Sequence, residues 1–459
     1  MKSKMFFVLT FLFLPGLMQA QTLNARFSTS VYSWENQFAD STASKSFRGY
    51  QTAIIHANGV GMPNLSFHTY FRGAYDMGSG KVTENPQYRV YNMYAQWKNR
   101  DQKAHRLDIK AGRQQVLTGL RSPTIDGIRA DYSNADNYSV SGYFGALPPD
   151  DGSLTVLKPF DRHAMGAKVS TAKYFETKAA LTFVDKSRDG AYAHSLNYLG
   201  GDSLFQRADM QERLIGFDLN RMFMGKINWF YHFEYDMLQK NVRRVSTDVQ
   251  YTHNKNLFVG VEYIFRRPNI MYNTIFSSFD DLSTNQEIWL RSNYRINDLW
   301  SVNAEYANVF YDLKDAWRYG FGVGFWRTNV NYQRRMGYGG TIDMISAAAY
   351  YPVNDKLKTD CSISYARFDL ADDIDKNSWE YPANPGDWDR FNLERQILTA
   401  TNTSIAVTGR VNYEFFRSFN VDVEGQYLSQ NIKSSPVYAG NKSDVRLFLR
   451  ANYWIFHKL

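Results

Sequence analysis

The sequence predicts an all-β fold, a transmembrane antiparallel β-barrel of about 18 strands (16–20). Three observations point to it. The chain closes on an alternating segment, DVRLFLRANYWIFHKL, in which Val445, Leu447, Leu449, Ala451, Tyr453 and Ile455 share one face and Arg446, Arg450 and Asn452 the other. Segments of the same kind recur along the 459 residues, separated by turns and without a convincing helical stretch. The chain also opens on a leader-like run. Alternation is equally legal in a water-soluble sheet, so composition decides. With 16% aromatic residues and a mean hydropathy of -0.47, too little apolar material is left for a large buried core, yet enough for a lipid-facing belt with aromatic girdles.

The first element is an export signal. MKSK supplies two lysines, MFFVLTFLFLPGLM a short apolar run and MQAQ a cleavage position after Ala20, so residues 1–20 read as a signal peptide and 21–459 as a single barrel domain. The run is too short to be read as a spanning helix. No lipobox cysteine follows, and the one cysteine, Cys361, excludes a disulfide framework and covalent haem attachment.

Further along, INWFYHFEYD sets Ile227, Trp229, Tyr231, Phe233 and Tyr235 against Asn228, His232, Glu234 and Asp236. VRRVSTDVQY and LFVGVEYIFR flank a polar turn at Asn254, and QEIWLRSNYR and LWSVNAEYANVF flank one at Asn297. Between Trp317 and Gly340 the segment RYGFGVGFW reads either as a strand of its own or as part of a loop. DMISAAAYY and LKTDCSISYARF flank PVNDK, and AVTGRVNYEF and VDVEGQYLS flank a turn at Ser418. Long connections from Arg267 to Gln286, Ala371 to Arg395 and Asn431 to Ser443 alternate with these short turns. That asymmetry is the outer-membrane pattern, with short turns periplasmic, and periplasmic ends for both first and last strand require an even strand number.

Strand parity then assigns a polar inner face. Its basic members are Arg72, Arg106, Lys110, Arg129, Lys168, Arg244, Arg266, Arg291, Arg295, Arg410, Arg446 and Arg450. Its acids are Asp108, Asp131, Asp218, Glu234, Asp248, Glu262, Glu305, Asp360, Asp422 and Glu424. Such ladders can simply balance charge and hold the barrel's shape, and rings of Arg or Lys also make anion pores; parity alone supports both. The formal charge of +8, which falls to +6 once Lys2 and Lys4 leave with the leader, hints at anionic solutes or contacts with lipopolysaccharide.

Other function classes find little support. The histidines His56, His68, His105, His163, His194, His232, His253 and His457 are scattered, and neither G-x-S-x-G nor HExxH occurs, so no enzyme and no catalytic residues are expected. Arginines alternate with acids instead of forming a basic stripe, which excludes nucleic acid. The loop with Asp372, Asp373, Asp375, Asp387 and Asp389 departs from the EF-hand pattern and reads as a solvated loop, leaving no metal site and no cofactor.

One stretch carries a family resemblance. HRLDIKAGRQQVLTGLRSPTIDGIRADYSNADNYSVSGYFGA, from His105 to Ala146, resembles hairpins of the alginate export porin family, in which a strand ending in Gly-Arg-Gln leads through a loop to a strand bearing an acid, an Arg and an aromatic. The matching positions are Gly112, Arg113 and Gln114, then Asp126, Gly127, Arg129 and Tyr132, over about a tenth of the chain. The resemblance implies a monomeric barrel of about 18 strands with a charged lumen. The loops depart from the better-known exporters, so alginate itself is not implied. The expectation is therefore a Gram-negative outer-membrane channel, surrounded by outer-membrane lipid and lipopolysaccharide, that passes small hydrophilic or anionic solutes, oligosaccharides or polysaccharides among them. Its pore-lining side chains would include Arg72, Arg106, Asp108, Lys110, Arg129, Asp131, Arg244, Glu262, Arg291, Arg410, Glu424, Arg446 and Arg450. The rival expectation is a structural barrel that houses or docks a periplasmic partner, such as a multihaem electron carrier or an export complex.

Overall fold

Alternation becomes strand almost throughout. The computed structural model describes residues 20–38, 44–76, 88–99, 105–134, 138–149, 152–155, 157–158, 162–171, 176–188, 192–196, 202–206, 210–267, 284–311, 315–337, 340–369, 402–432 and 440–458. The expected signal peptide and the acidic loop around Asp372 to Asp389 lie outside these residues.

The first strands are β1 (Thr22–Phe38), β2 (Ser44–Asn58), β3 (Leu65–Asp76), β4 (Arg89–Lys98), β5 (His105–Gln115), β6 (Thr124–Asn134), β7 (Tyr138–Ala146), β8 (Arg162–Thr171) and β9 (Thr177–Arg188). After the short β10 (Tyr192–Leu196) and β11 (Asp202–Gln206) come β12 (Met210–Phe223), β13 (Ile227–Asp236), β14 (Asn241–Thr252), β15 (Leu257–Arg266), β16 (Asn285–Arg295) and β17 (Trp300–Phe310). The last are β18 (Ala316–Phe325), β19 (Thr328–Gly337), β20 (Thr341–Pro352), β21 (Leu357–Asp369), β22 (Asn402–Phe416), β23 (Phe419–Ile432) and β24 (Gly440–Lys458).

Apart from the β10/β11 hairpin, these strands form one 22-stranded antiparallel sheet. Each pairs with the next, β9 pairs with β12, and β1 pairs with β24 from Thr22↔Lys458 to Phe38↔Lys442. Every barrel strand thus has two partners and the sheet has no edge, which is how a sheet satisfies its backbone in hydrocarbon. Turns of two to four residues at 224–226, 253–256, 296–299, 326–327, 353–356 and 417–418 lie at the end where β1 starts and β24 finishes. The strand ends Asp76 and Arg89, Ala146 and Arg162, Arg266 and Asn285, and Asp369 and Asn402, between which the long connections run, lie at the opposite end.

The strand number corrects the expectation of about 18: the barrel has 22. The stretch from Trp317 to Gly340 resolves into β18 and β19, joined by Trp326 and Arg327, with Trp326 at φ 52°. Positive φ there falls on a residue that seldom adopts it, so the Trp326–Arg327 turn lacks the Asn and Gly marks by which a turn is read.

Register separates two faces. Val249, Val261, Leu290, Tyr306 and Tyr319 lie in one row across β14 to β18, and all are exposed to the outside of the sheet. Val445, Leu447 and Leu449 of β24, facing Tyr427, Gly425 and Val423 of β23, continue the belt. Buried apolar clusters are small, such as Val116, Ile125, Tyr143, Leu147 and Ala164. The apolar surface therefore faces outward, as in a barrel solvated by lipid.

Candidate functional site

The sequence segment that carries the family resemblance builds a hinge. Gly112, Gly127 and Gly145 are register partners on β5, β6 and β7. Gly112 has φ 123°, and a Cβ at Gly127 would meet the Phe144 carbonyl oxygen at 2.1 Å, so the strands approach here as no side chain permits. Immediately above, Arg113 donates from Nε and Nη2 to the Asp126 carboxylate at 2.7 Å each, and from Nη1 to Ser153 O at 2.6 Å. Both side chains are under a tenth exposed. Gln114, also buried, donates to Lys110 O and Gly127 O. Motif residues therefore fix the backbone at the base of the β5–β6 connection.

That connection, residues 116–123, folds across the barrel's inner face onto β8, β9, β12 and β13. Leu120 clusters with Val184 and Leu214 and fills the space over Gly216, where a Cβ would meet Leu120 Cδ2 at 2.2 Å. Lys168 Nζ donates to Thr118 O at 3.1 Å. Arg121 reaches Glu212 at 3.3 Å and Glu234 at 3.1 Å. A second arginine, Arg243, pairs with the same Glu212 at 3.2 Å and approaches Glu234 and Asp236 at 3.7 and 3.8 Å. Below them His232 Nδ1 stands 2.6 Å from Asp218 Oδ1. The loop is thus held by an apolar plug and a shared ion cluster, and it narrows the lumen on this side.

Arg243 reaches the cluster through a β-bulge. The β13–β14 register shifts between Glu234, which faces Arg244, and Tyr235, which faces Val242, leaving Arg243 without a ladder partner and free to turn inward. Below the loop, Lys168, Asp218, His232, Asp248 and Glu262 line a recess of about 790 Å³.

Half-way around the ring from β13 and β14 lies a different wall, on β24, β1, β2 and β3. Arg26, Arg72, Arg450, Tyr32, Tyr50, Tyr70 and Phe448 line a groove of about 380 Å³. The Arg72 guanidinium lies over Tyr50 at 5.1 Å and Tyr91 at 5.5 Å, and Arg450 lies over Phe448 at 4.7 Å. None of the three arginines makes an ion pair among the described residues. Asp422, the register partner of Arg450, instead accepts from Arg410, Asn412 and Asn452.

The remaining residues of the inner set fall into pairs and singles. Glu262 and Arg291 form an ion pair at 2.7 Å, Arg129 and Asp131 one at 2.8 Å, Arg410 and Asp422 one at 3.0 Å, and Arg446 and Asp444 one at 2.6 Å. Asp108 accepts from Gln96 and pairs with Lys98, while Lys110 lies over the Tyr94 ring. Glu424 accepts from Gln426. Arg106 and Arg244 make no ion pair among the described residues. Parity reading leaves out Arg26, Arg121, Glu212 and Arg243: Arg26 and Glu212 lie near the starts of β1 and β12, where the alternation carries no face assignment, whereas Arg121 stands on a loop and Arg243 on a bulge, which obey no parity.

Fold and lumen together define a closed β-barrel with an apolar outer belt and a charged interior narrowed by an inward loop. No family model matches the chain and no curated relative does, so the resemblance to the alginate export porins stands on the His105–Ala146 residues alone. Among solved structures, the chain is similar to OccK3 (OpdO) of Pseudomonas aeruginosa at 9% identity, covering 97% of this chain and 99% of that one, with a TM-score of 0.41. It is similar to OccD3 (OpdP) of the same organism at 10% identity, with 96% and 94% covered and a TM-score of 0.42. The translocation pore of the P pilus usher PapC gives 8% identity, 94% and 99% covered and 0.42. At these values nothing about solute or gating transfers to this chain.

Proposed function

We propose that the protein is an outer-membrane channel for small hydrophilic solutes, with a preference for anionic ones such as acidic oligosaccharides. The observation that carries this reading is the segregation of charge across the lumen. On one side the carboxylates are engaged by Arg121, Arg243 and His232; on the other, Arg26, Arg72 and Arg450 face the interior among aromatic rings with no carboxylate partner among the described residues. Guanidinium groups exposed to an aqueous lumen with low-dielectric walls attract and orient anions, and the rings beside them offer flat surfaces to the faces of sugars. The apolar belt, the closed sheet and the short-turn end agree with insertion in an outer membrane.

Reconstitution in a planar bilayer tests this directly. Steady conductance with a reversal potential favouring anions under a salt gradient is expected, together with transient blockade by acidic oligosaccharides. A barrel that inserts but does not conduct would favour the scaffold for a periplasmic partner. Cell fractionation checks location: the protein should appear in the outer membrane as a heat-modifiable band.

A further inference from the structure

The recess beneath the inward loop keeps its charges apart. One register row crosses it, from Lys178 of β9 through Asn220 of β12, Phe230 of β13 and Asp248 of β14 to Glu262 of β15. At the β8–β9 end stand Lys168 and Lys178. Lys168 Nζ donates to Thr118 O, and the exposed Lys178 has no ion-pair partner among the described residues, so this pole stays positive. At the β14–β15 end Asp248 and Glu262 share one guanidinium, that of Arg291, at 3.6 and 2.7 Å, and the pole keeps a net negative charge. Asp218 and His232 lie between the poles and bond to each other. Beside them the Phe230 ring is 36% exposed, an apolar surface turned to the lumen among polar neighbours.

We propose that this recess binds short peptides with free ends, the carboxylate at Lys178 and Lys168, the ammonium at Asp248 and Glu262, and an apolar side chain on Phe230. The charges set the class. An anion alone is repelled by the β14–β15 pole and a cation alone by the lysines, whereas a dipolar solute is attracted at both ends. Span sets the length. Lys178 and Asp248 lie three strand spacings apart, about 14 Å between backbones. Their side chains take up part of that distance, and an extended chain covers about 3.5 Å per residue, so two or three residues bridge the poles. The apolar side chain withdraws from water a ring that otherwise faces it. This site is separate from the arginine groove on β24, β1, β2 and β3, and its solute class goes beyond the anionic one assigned to the channel as a whole.

The test uses the full chain folded in detergent and saturation-transfer NMR with the peptide Ala-Leu-Ala, so it does not depend on conductance. Ala-Leu-Ala should bind, and blocking either end, by N-acetylation or by C-amidation, should weaken binding several-fold. Lys178→Gln should abolish the advantage of the free carboxylate while keeping that of the free ammonium. Asp248→Asn together with Glu262→Gln should do the reverse, and Phe230→Ala should weaken every form of the peptide. Should the double variant fail to show heat-modifiable migration, Lys178→Gln, at an exposed side chain, decides in its place. Absence of Ala-Leu-Ala binding to the wild type overturns the proposal, as does equal binding of the N-acetylated peptide, which would return the recess to the anion path. A carboxylate preference that survives in folded Lys178→Gln overturns it as well.

Discussion

Arginine serves the β12–β14 wall and the β24–β3 wall in different ways. On the first, Arg121 and Arg243 are bound to Glu212 and Glu234, and their charge is spent on fixing a loop. On the second, Arg26, Arg72 and Arg450 have aromatic neighbours and no carboxylate partners among the described residues, so their charge remains available to whatever enters the lumen. Counting inner charges would rate the walls alike. What a guanidinium contributes to a channel depends on whether a neighbour already neutralises it.

The contrast breaks most severely at the loop's base. Asp126→Ala leaves Arg113 buried and unpaired, and should destabilise the barrel by about 3–5 kcal/mol, read as a lower urea midpoint in lipid vesicles. Loss of that size would identify the resembling motif as structural; no loss would show that the hinge does not depend on this pair. Val261→Arg follows. A charge placed in the outer belt costs roughly 2–4 kcal/mol near the bilayer midplane, while the same replacement at the neighbouring inner residue Glu262 should cost far less. Equal assembly defects at both positions would invert the assignment of faces.

Gly216→Val sharpens the comparison without touching a charge. Its side chain claims the space that Leu120 fills, so the loop should leave the wall and single-channel conductance should rise, with folding retained. Unchanged conductance would mean that the loop does not set the bore. The smallest effects are on selectivity. Replacing Arg26, Arg72 and Arg450 together by Gln should move the reversal potential toward cations, and by more than neutralising Arg106, Lys110 and Arg129, because Arg129 is already paired with Asp131. A larger shift from the second triple would refute the distinction between paired and unpaired arginine.

Much of the architecture was legible because alternation is local. β13, β15 and β24 could be read residue by residue, and the Glu262–Arg291 pair joins two side chains that parity had placed on one face. β18 and β19 were obscured by a turn made from Trp326, a residue that signals strand or interface instead of reversal. The loop on the β12–β13 wall was out of reach for another reason. Its contacts join Arg121 to residues 91 and 113 positions away, and no periodicity reports such a pairing. Arg243 was hidden by the bulge, which hands the inward position to a residue of the wrong parity.

The pairing of Thr22 with Lys458 has a consequence for how the barrel is made. Every other barrel strand finds partners in its sequence neighbours or, for β9 and β12, across a modest insertion; only the β1–β24 seam joins remote parts of the chain. Until β24 arrives, β1 presents an open hydrogen-bonding edge, and such an edge recruits strands from other molecules. Closure therefore comes last and is slow in chain-entropy terms, so the nascent sheet needs either a chaperone over its seam or rapid delivery to the site of insertion.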